Sequence, residues 1–215
     1  MIIQLKQTRS NLKAECNFLS NAKVIYSAAA NNILQSRHVI LSRNGKPIYY
    51  IDYELGADLS NIIKSPTKKK SDPFAIKNTE GQTVGAIYYT QNRMFFGYCT
   101  YHIVIDGNEW QVYDVGLGKA GNAVCIYQNE NQVALIEKTT VVRDNKDYYT
   151  LYLEDDMHII PTCLFGLYYD CTKYSNSGEA VYKSVSIQYE YSLSKELKAK
   201  YDPNFKLRIM QQIKA

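Results

Sequence analysis

The sequence predicts a mainly β protein, an antiparallel barrel or sandwich with one buried helix, and three observations carry that reading. Short runs of β-branched and aromatic residues recur at short, even spacing with no helical segment between them. Asn44-Gly45 and Asp106-Gly107 stand between such runs, and these pairs accept the positive φ values that tight hairpins require. Residues 157–169 form one uninterrupted apolar block that must be buried somewhere. A bilayer span needs about 20 apolar residues. The block ends sooner, at Asp170 and Lys173, so a helix buried in protein is expected.

Residues 1–22 alternate poorly and are expected to form an edge strand or a loose leader. Strands are expected at Val24-Ile25-Tyr26 and at His38-Val39-Ile40-Leu41, with a hairpin at Asn44-Gly45 returning through residues 48–53. Between residues 56 and 72 the periodicity is lost, and a polar surface loop gathers Lys64, Pro66 and the run Lys68, Lys69, Lys70. Phe74-Ala75-Ile76 and residues 84–88 flank a turn at residues 78–81. Residues 98–105 and 109–115 flank Asp106-Gly107. Further strands are expected at residues 122–127 and 133–140, and a hairpin at residues 144–147 leads into 148–153.

The helix is expected from Pro161, whose fixed φ suits a first helical position, to Tyr174, with Glu154, Asp155 and Asp156 near the positive end of its dipole. At about 1.5 Å per residue it is roughly 21 Å long, enough to run through a small barrel. Residues 181–191 alternate Val185, Ile187, Tyr189 and Tyr191 with polar residues, the pattern of a half-buried strand. Residues 192–215 form a helical extension: Ser194 caps a short helix, Asp202-Pro203 starts another, and Phe205, Ile209 and Ile213 give one apolar stripe. That stripe suits the outside of a sheet, or a protein partner such as a second subunit.

The 215 residues fit one domain, and with 46% hydrophobic residues and 20 tyrosines the chain has ample core-forming surface. A net charge of +4 spread along the chain is no nucleic-acid signature. Five cysteines, an odd number without a CxxC pair, read as reduced core thiols. The first apolar residues meet Lys6 and Arg9 too soon for a signal peptide, so a cytoplasmic protein is expected.

No residue set announces a reaction, a metal or a cofactor. Residues 116–121 match GxGxxG, but a strand rather than a helix follows, so a glycine-rich hairpin is expected and not a dinucleotide site. His38, His102 and His158 lie on different elements, none with a second histidine at ligand spacing. Glu154, Asp155 and Asp156 suit a solvated helix start, with acid–base work or cation binding as the functional alternative.

The hairpins ending in Phe74-Ala75-Ile76 and in residues 81–87, the run Trp110-Gln111-Val112-Tyr113, and the late helix ending Tyr168-Tyr169-Asp170 resemble the tubby-like superfamily, which includes tubby C-terminal domains, LURP-one-related proteins and phospholipid scramblases. The resemblance spans residues 24–191. It implies a closed barrel of about twelve strands around a central hydrophobic helix, although here some forty residues follow that helix. It also implies lipid contact: tubby domains bind phosphoinositide head groups through basic residues, which points to Lys64, Lys68, Lys69 and Lys70. The expected function is a non-enzymatic cytosolic barrel, free or membrane-associated, binding an anionic lipid head group, a membrane surface or a protein. The alternative is a hydrolase-like enzyme or small-ligand protein with a site at one barrel end, using Asp155 and Asp156.

Overall fold

Two-residue turns build the wall of the molecule. The structure, a computed structural model, describes residues 1–10, 13–31, 38–53, 74–91, 97–174 and 184–213. Asn44-Gly45 (φ 52° and 74°) and Asp106-Gly107 (48° and 81°) hold both central residues in the left-handed region. Asn21-Ala22, Asn129-Glu130 and Asp144-Asn145 do the same without glycine.

The strands are β1 (Ile2–Arg9), β2 (Lys13–Ser20), β3 (Lys23–Asn31), β4 (His38–Arg43), β5 (Lys46–Tyr53), β6 (Phe74–Lys77), β7 (Thr83–Gln91), β8 (Cys99–Ile105), β9 (Asn108–Gly118), β10 (Asn122–Gln128), β11 (Asn131–Lys138), β12 (Val141–Arg143) and β13 (Tyr148–Leu153). From β1 to β11 each pairs antiparallel with the next; β13 then joins β11 to β1, where Ile3 faces Leu151, and the ring of twelve strands closes. Closure removes the free edges that an open sheet would present. The strand β12 stays outside the ring. The hairpin expected at residues 144–147 therefore returns not from the preceding barrel strand but from this excursion.

Residues 1–22 are neither an edge nor a leader: β1 pairs with β13 on one side and β2 on the other, with Ile3, Leu5 and Gln7 turned inward and buried. Two things hid this. A buried glutamine interrupts the apolar alternation, and the turn into β3 uses Asn21-Ala22 in place of a glycine pair.

The bore is filled by α1 (Ile159–Lys173), in which every residue from Pro161 to Cys171 is buried. It touches β4, β8 and β11, which lie on different sides of the ring. Phe165 meets Tyr101 edge-on, with ring centroids 5.5 Å apart, and Tyr168 meets Phe74 at 5.1 Å. A barrel of this many strands is too wide for wall side chains alone to fill, and the helix takes up the remainder. It starts at Ile159, two residues before Pro161, which still lies in the first turn where a missing N–H goes unnoticed. Met157 falls in the preceding 3-10 turn and is 59% exposed.

Beyond the helix, β14 (Val185–Ile187) pairs with β12 and β15 (Glu190–Tyr191) with the end of β9. The half-buried strand expected at residues 181–191 is, over its described part, these two short strands with their apolar side chains outward. The reason is that Gln188 and Glu190 turn inward to bind Lys138 and the Tyr174 hydroxyl. Ser194 caps α2 (Lys195–Lys198) as expected, its hydroxyl accepting from Leu197 N at 3.1 Å. In α3 (Phe205–Gln212), Phe205 and Ile209 are buried against Val115, Cys125 and Leu135 on the outer barrel wall, while Ile213, Leu207 and Met210 stay exposed. The stripe thus docks on the outside of a sheet through two of its three members. No helix among the described residues is long and apolar enough to cross a membrane.

Candidate functional site

The residues picked out by sequence are dispersed in the fold. Lys64, Lys68, Lys69 and Lys70, with the loop that holds them, lie outside the described residues. Asp155 caps the 3-10 turn, its Oδ1 accepting from Met157 N at 3.0 Å. His158 is buried at the mouth of the bore and its Nδ1 accepts from Trp110 Nε1 at 3.2 Å. Burial holds its pKa below the usual imidazole value. His38 pairs with Asp52, which also binds Lys77 at 3.2 Å. Residues 116–121 close the β9–β10 hairpin, with Leu117 N donating to Gly121 O at 2.8 Å and no helix following.

His102 is the centre of a relay that no sequence motif announced. Its Nε2 lies 3.0 Å from Thr90 Oγ1, and its Nδ1 lies 2.8 Å from Glu109 Oε1. The hydrogen bond to His102 holds the Glu109 carboxyl below its usual pKa. The order hydroxyl, imidazole, carboxylate has the connectivity of a nucleophile, a base and its orienting acid. Thr90 is only 4% exposed, however, so its hydroxyl is closed to a substrate, and the relay clamps three adjacent strands.

A second polar cluster surrounds the end of α1. Asp170 accepts from Tyr149 Oη at 2.6 Å and from Gln7 Nε2 at 3.5 Å. Gln7 Oε1 accepts from Asp147 N, and Asp147 pairs with Lys138 at 2.6 Å in a site where both side chains are almost wholly buried. Burial and the neighbouring Asp147 charge push the Asp170 carboxyl up to about 7, and burial raises Asp147 despite Lys138. Lys173, at the carbonyl end of the helix dipole, binds Asp114 at 2.7 Å and Glu190 at 3.4 Å. This cluster closes one end of the barrel.

Among the described residues, open space lies on the outer wall. A groove of about 410 Å³ is lined by Gln4 and Lys6 of β1, Tyr148 and Thr150 of β13, and Val141 and Arg143 of β12. A second hollow of about 360 Å³ shares Gln4 and Lys6 on the other side of β1. Strand alternation turns Gln4 and Lys6 outward because Ile3, Leu5 and Gln7 face the bore. Lys6 sits opposite Tyr148 in the β1–β13 ladder, and the β12 excursion carries Arg143 to the same groove. Neither Lys6 nor Arg143 has a carboxylate partner among the described residues. The pair is therefore available to neutralise an anion. No local signal marks it in the sequence, since the two cations meet only through the closing register of the ring.

Among the described residues no group of three His, Cys, Asp or Glu side chains is placed to hold a metal. No disulfide joins any of the five cysteines, and burial raises the thiols of Cys16 and Cys163 and pushes Cys125 up to about 12. Fold and geometry together define a class: a helix-threaded, closed antiparallel barrel carrying a cationic groove on its outer wall. In comparisons with known proteins, the chain matches no family model, no curated protein and no solved structure.

Proposed function

We propose that this protein is a non-enzymatic, cytosolic barrel of tubby-like kind that holds the anionic head group of a membrane lipid in the groove between Lys6 and Arg143. The observation that carries the reading is that pair of cations, without a carboxylate partner among the described residues, beside about 410 Å³ of open space ringed by the hydrogen-bonding side chains of Gln4, Thr139, Tyr148 and Thr150. Kinship with the tubby-like superfamily is supported by the closed ring of twelve strands and the helix within it. A cytosolic setting is supported by five cysteines that form no disulfide. The histidines and the Asp155 carboxylate are each engaged by separate structural partners, which favours binding over catalysis.

Co-sedimentation with vesicles tests the reading. The protein binds phosphatidylserine-containing vesicles and not pure phosphatidylcholine vesicles, and binding weakens with salt. A cation near an anionic surface contributes about 1 kcal/mol, so Lys6→Ala with Arg143→Ala weakens binding roughly 30-fold. Equal binding to both vesicle types, or an unaffected double variant, refutes the groove. Loss of binding in Lys68→Glu with Lys70→Glu alone moves the contact to the lysine loop.

A further inference from the structure

The segment 184–193 is laid on the barrel with its apolar side outward. Val185, Ile187, Tyr189, Tyr191 and Leu193 occupy every second position, and all are exposed, from 47% at Tyr189 to 101% at Leu193. Of the polar residues between them, Ser186 is exposed, while Gln188, Glu190 and Ser192 are half-buried, the first two bound to the barrel. Gln188 Oε1 accepts from Lys138 Nζ at 2.5 Å, Gln188 N donates to Thr140 O at 2.8 Å, and Glu190 accepts from Tyr174 Oη at 2.6 Å. Because side chains alternate with period two, these bonds fix the outward face: a slip of one residue buries the apolar set only by breaking the Lys138–Gln188 and Tyr174–Glu190 bonds. Single exposed apolar residues need no explanation, but five at alternate positions along two short strands and their flanks form a patch.

We infer that this stripe is the part of the molecule that enters the interfacial layer of an anionic membrane, an inference that rests on the head-group reading of the groove. Continuity with that groove selects the occupant. In the β12–β14 ladder Arg143 faces Val185 and Val141 faces Ile187, and directly opposed residues project from the same side of a sheet. Val141 and Arg143 line the groove while Val142 between them is buried, so the guanidinium and the two exposed aliphatics share one surface. A cation that takes a phosphate and aliphatic groups that take the adjoining acyl region are the two halves of a phospholipid contact. Tyr189 and Tyr191 extend the surface with rings that suit the boundary between apolar and aqueous layers. A second copy of the chain fits less well. Nine extended residues offer roughly 30 Å by 10 Å, about 300 Å² a side, against about 800 Å² for a standard stable interface.

The test places a reporter in the stripe. Leu193 has no neighbours to displace, so Leu193→Trp is tolerated. With phosphatidylserine vesicles carrying brominated acyl chains, the emission of this variant shifts to the blue and is quenched. The native protein, whose one tryptophan, Trp110, is 4% exposed, is not quenched. Val185→Ser with Ile187→Ser keeps the thermal melt and weakens vesicle binding about tenfold. A Leu193→Trp protein that sediments with vesicles yet shows neither shift nor quenching overturns the stripe and leaves the groove standing. Failure to sediment with anionic vesicles at all overturns both. Self-association in vesicle-free solution that the serine variants abolish assigns the stripe to a second copy and overturns the membrane assignment.

Discussion

Replacing Asp170 with asparagine makes the protein more stable above neutral pH and removes part of its pH dependence. Asp170 lies near the end of the threaded helix, 3% exposed, facing Gln7 of β1, Cys16 of β2, Lys138 of β11, Tyr149 of β13, and Asp147 just before β13. Its carboxyl titrates at about 7 against an ordinary value of 3.8, chiefly because burial disfavours the charge. Between those two pH values the folded protein keeps a proton that the unfolded chain has released. Stability therefore falls as pH rises from about 4 to about 7, and this group adds no further slope above. The interval is worth about 4 kcal/mol. In Asp170→Asn the new amide still accepts from Tyr149 but meets Gln7 donor to donor, which costs about 1 kcal/mol at that long contact. The variant is then more stable than the native protein by roughly 3 kcal/mol near pH 8, and slightly less stable near pH 4. Urea unfolding followed by Trp110 fluorescence at several pH values measures the difference. A stability difference that does not change with pH refutes the reasoning, as does a less stable variant at pH 8.

Three further perturbations test the packing. Phe165, 0% exposed inside the bore, is the centre of the filling, and Phe165→Ala costs about 3–5 kcal/mol in urea melts. A cost under about 1 kcal/mol would mean the bore collapses freely around the gap. Lys138→Ala leaves Asp147 buried without its counter-charge and costs about 3–5 kcal/mol, whereas Lys138→Met with Asp147→Leu recovers most of that loss in the same assay. In Gly116→Ala the new Cβ meets the Tyr191 carbonyl oxygen at 2.6 Å and Ser192 N at 2.8 Å. It lifts β15 from β9, so hydrogen exchange quickens at β15 while the amides of β1 and β13 keep their protection.

Much of the wall was legible because its turns carry chemistry. Asn44-Gly45 and Asp106-Gly107 can be read from two letters each, since few other pairs take positive φ twice without strain. The helix was legible for a different reason: a block apolar on all sides and too short to span a bilayer has a protein interior to occupy. Asn21-Ala22 gave no such mark, and with Gln7 buried in the bore the first two strands did not look like strands. In the 184–193 segment period-two alternation identified which residues share a face, but which face turns inward depended on Lys138 and Tyr174, far away in the chain. The groove was invisible for the same reason. Lys6 and Arg143 come together only once β1 has found β13, and no local pattern encodes a meeting of distant strands.

The order of parts along the chain has a consequence for biogenesis. The amino group of Met1 donates to Leu153 O at 2.7 Å, so the first stave is sealed by the thirteenth strand, and the plug is translated only after that seam. A nascent chain that has emerged as far as Leu153 can fasten every seam yet has nothing to place inside. The cylinder becomes self-supporting only when the following twenty residues leave the ribosome. Its cooperative collapse is thus postponed until the helix has been made, and its slow, distant strand pairings must wait for it too.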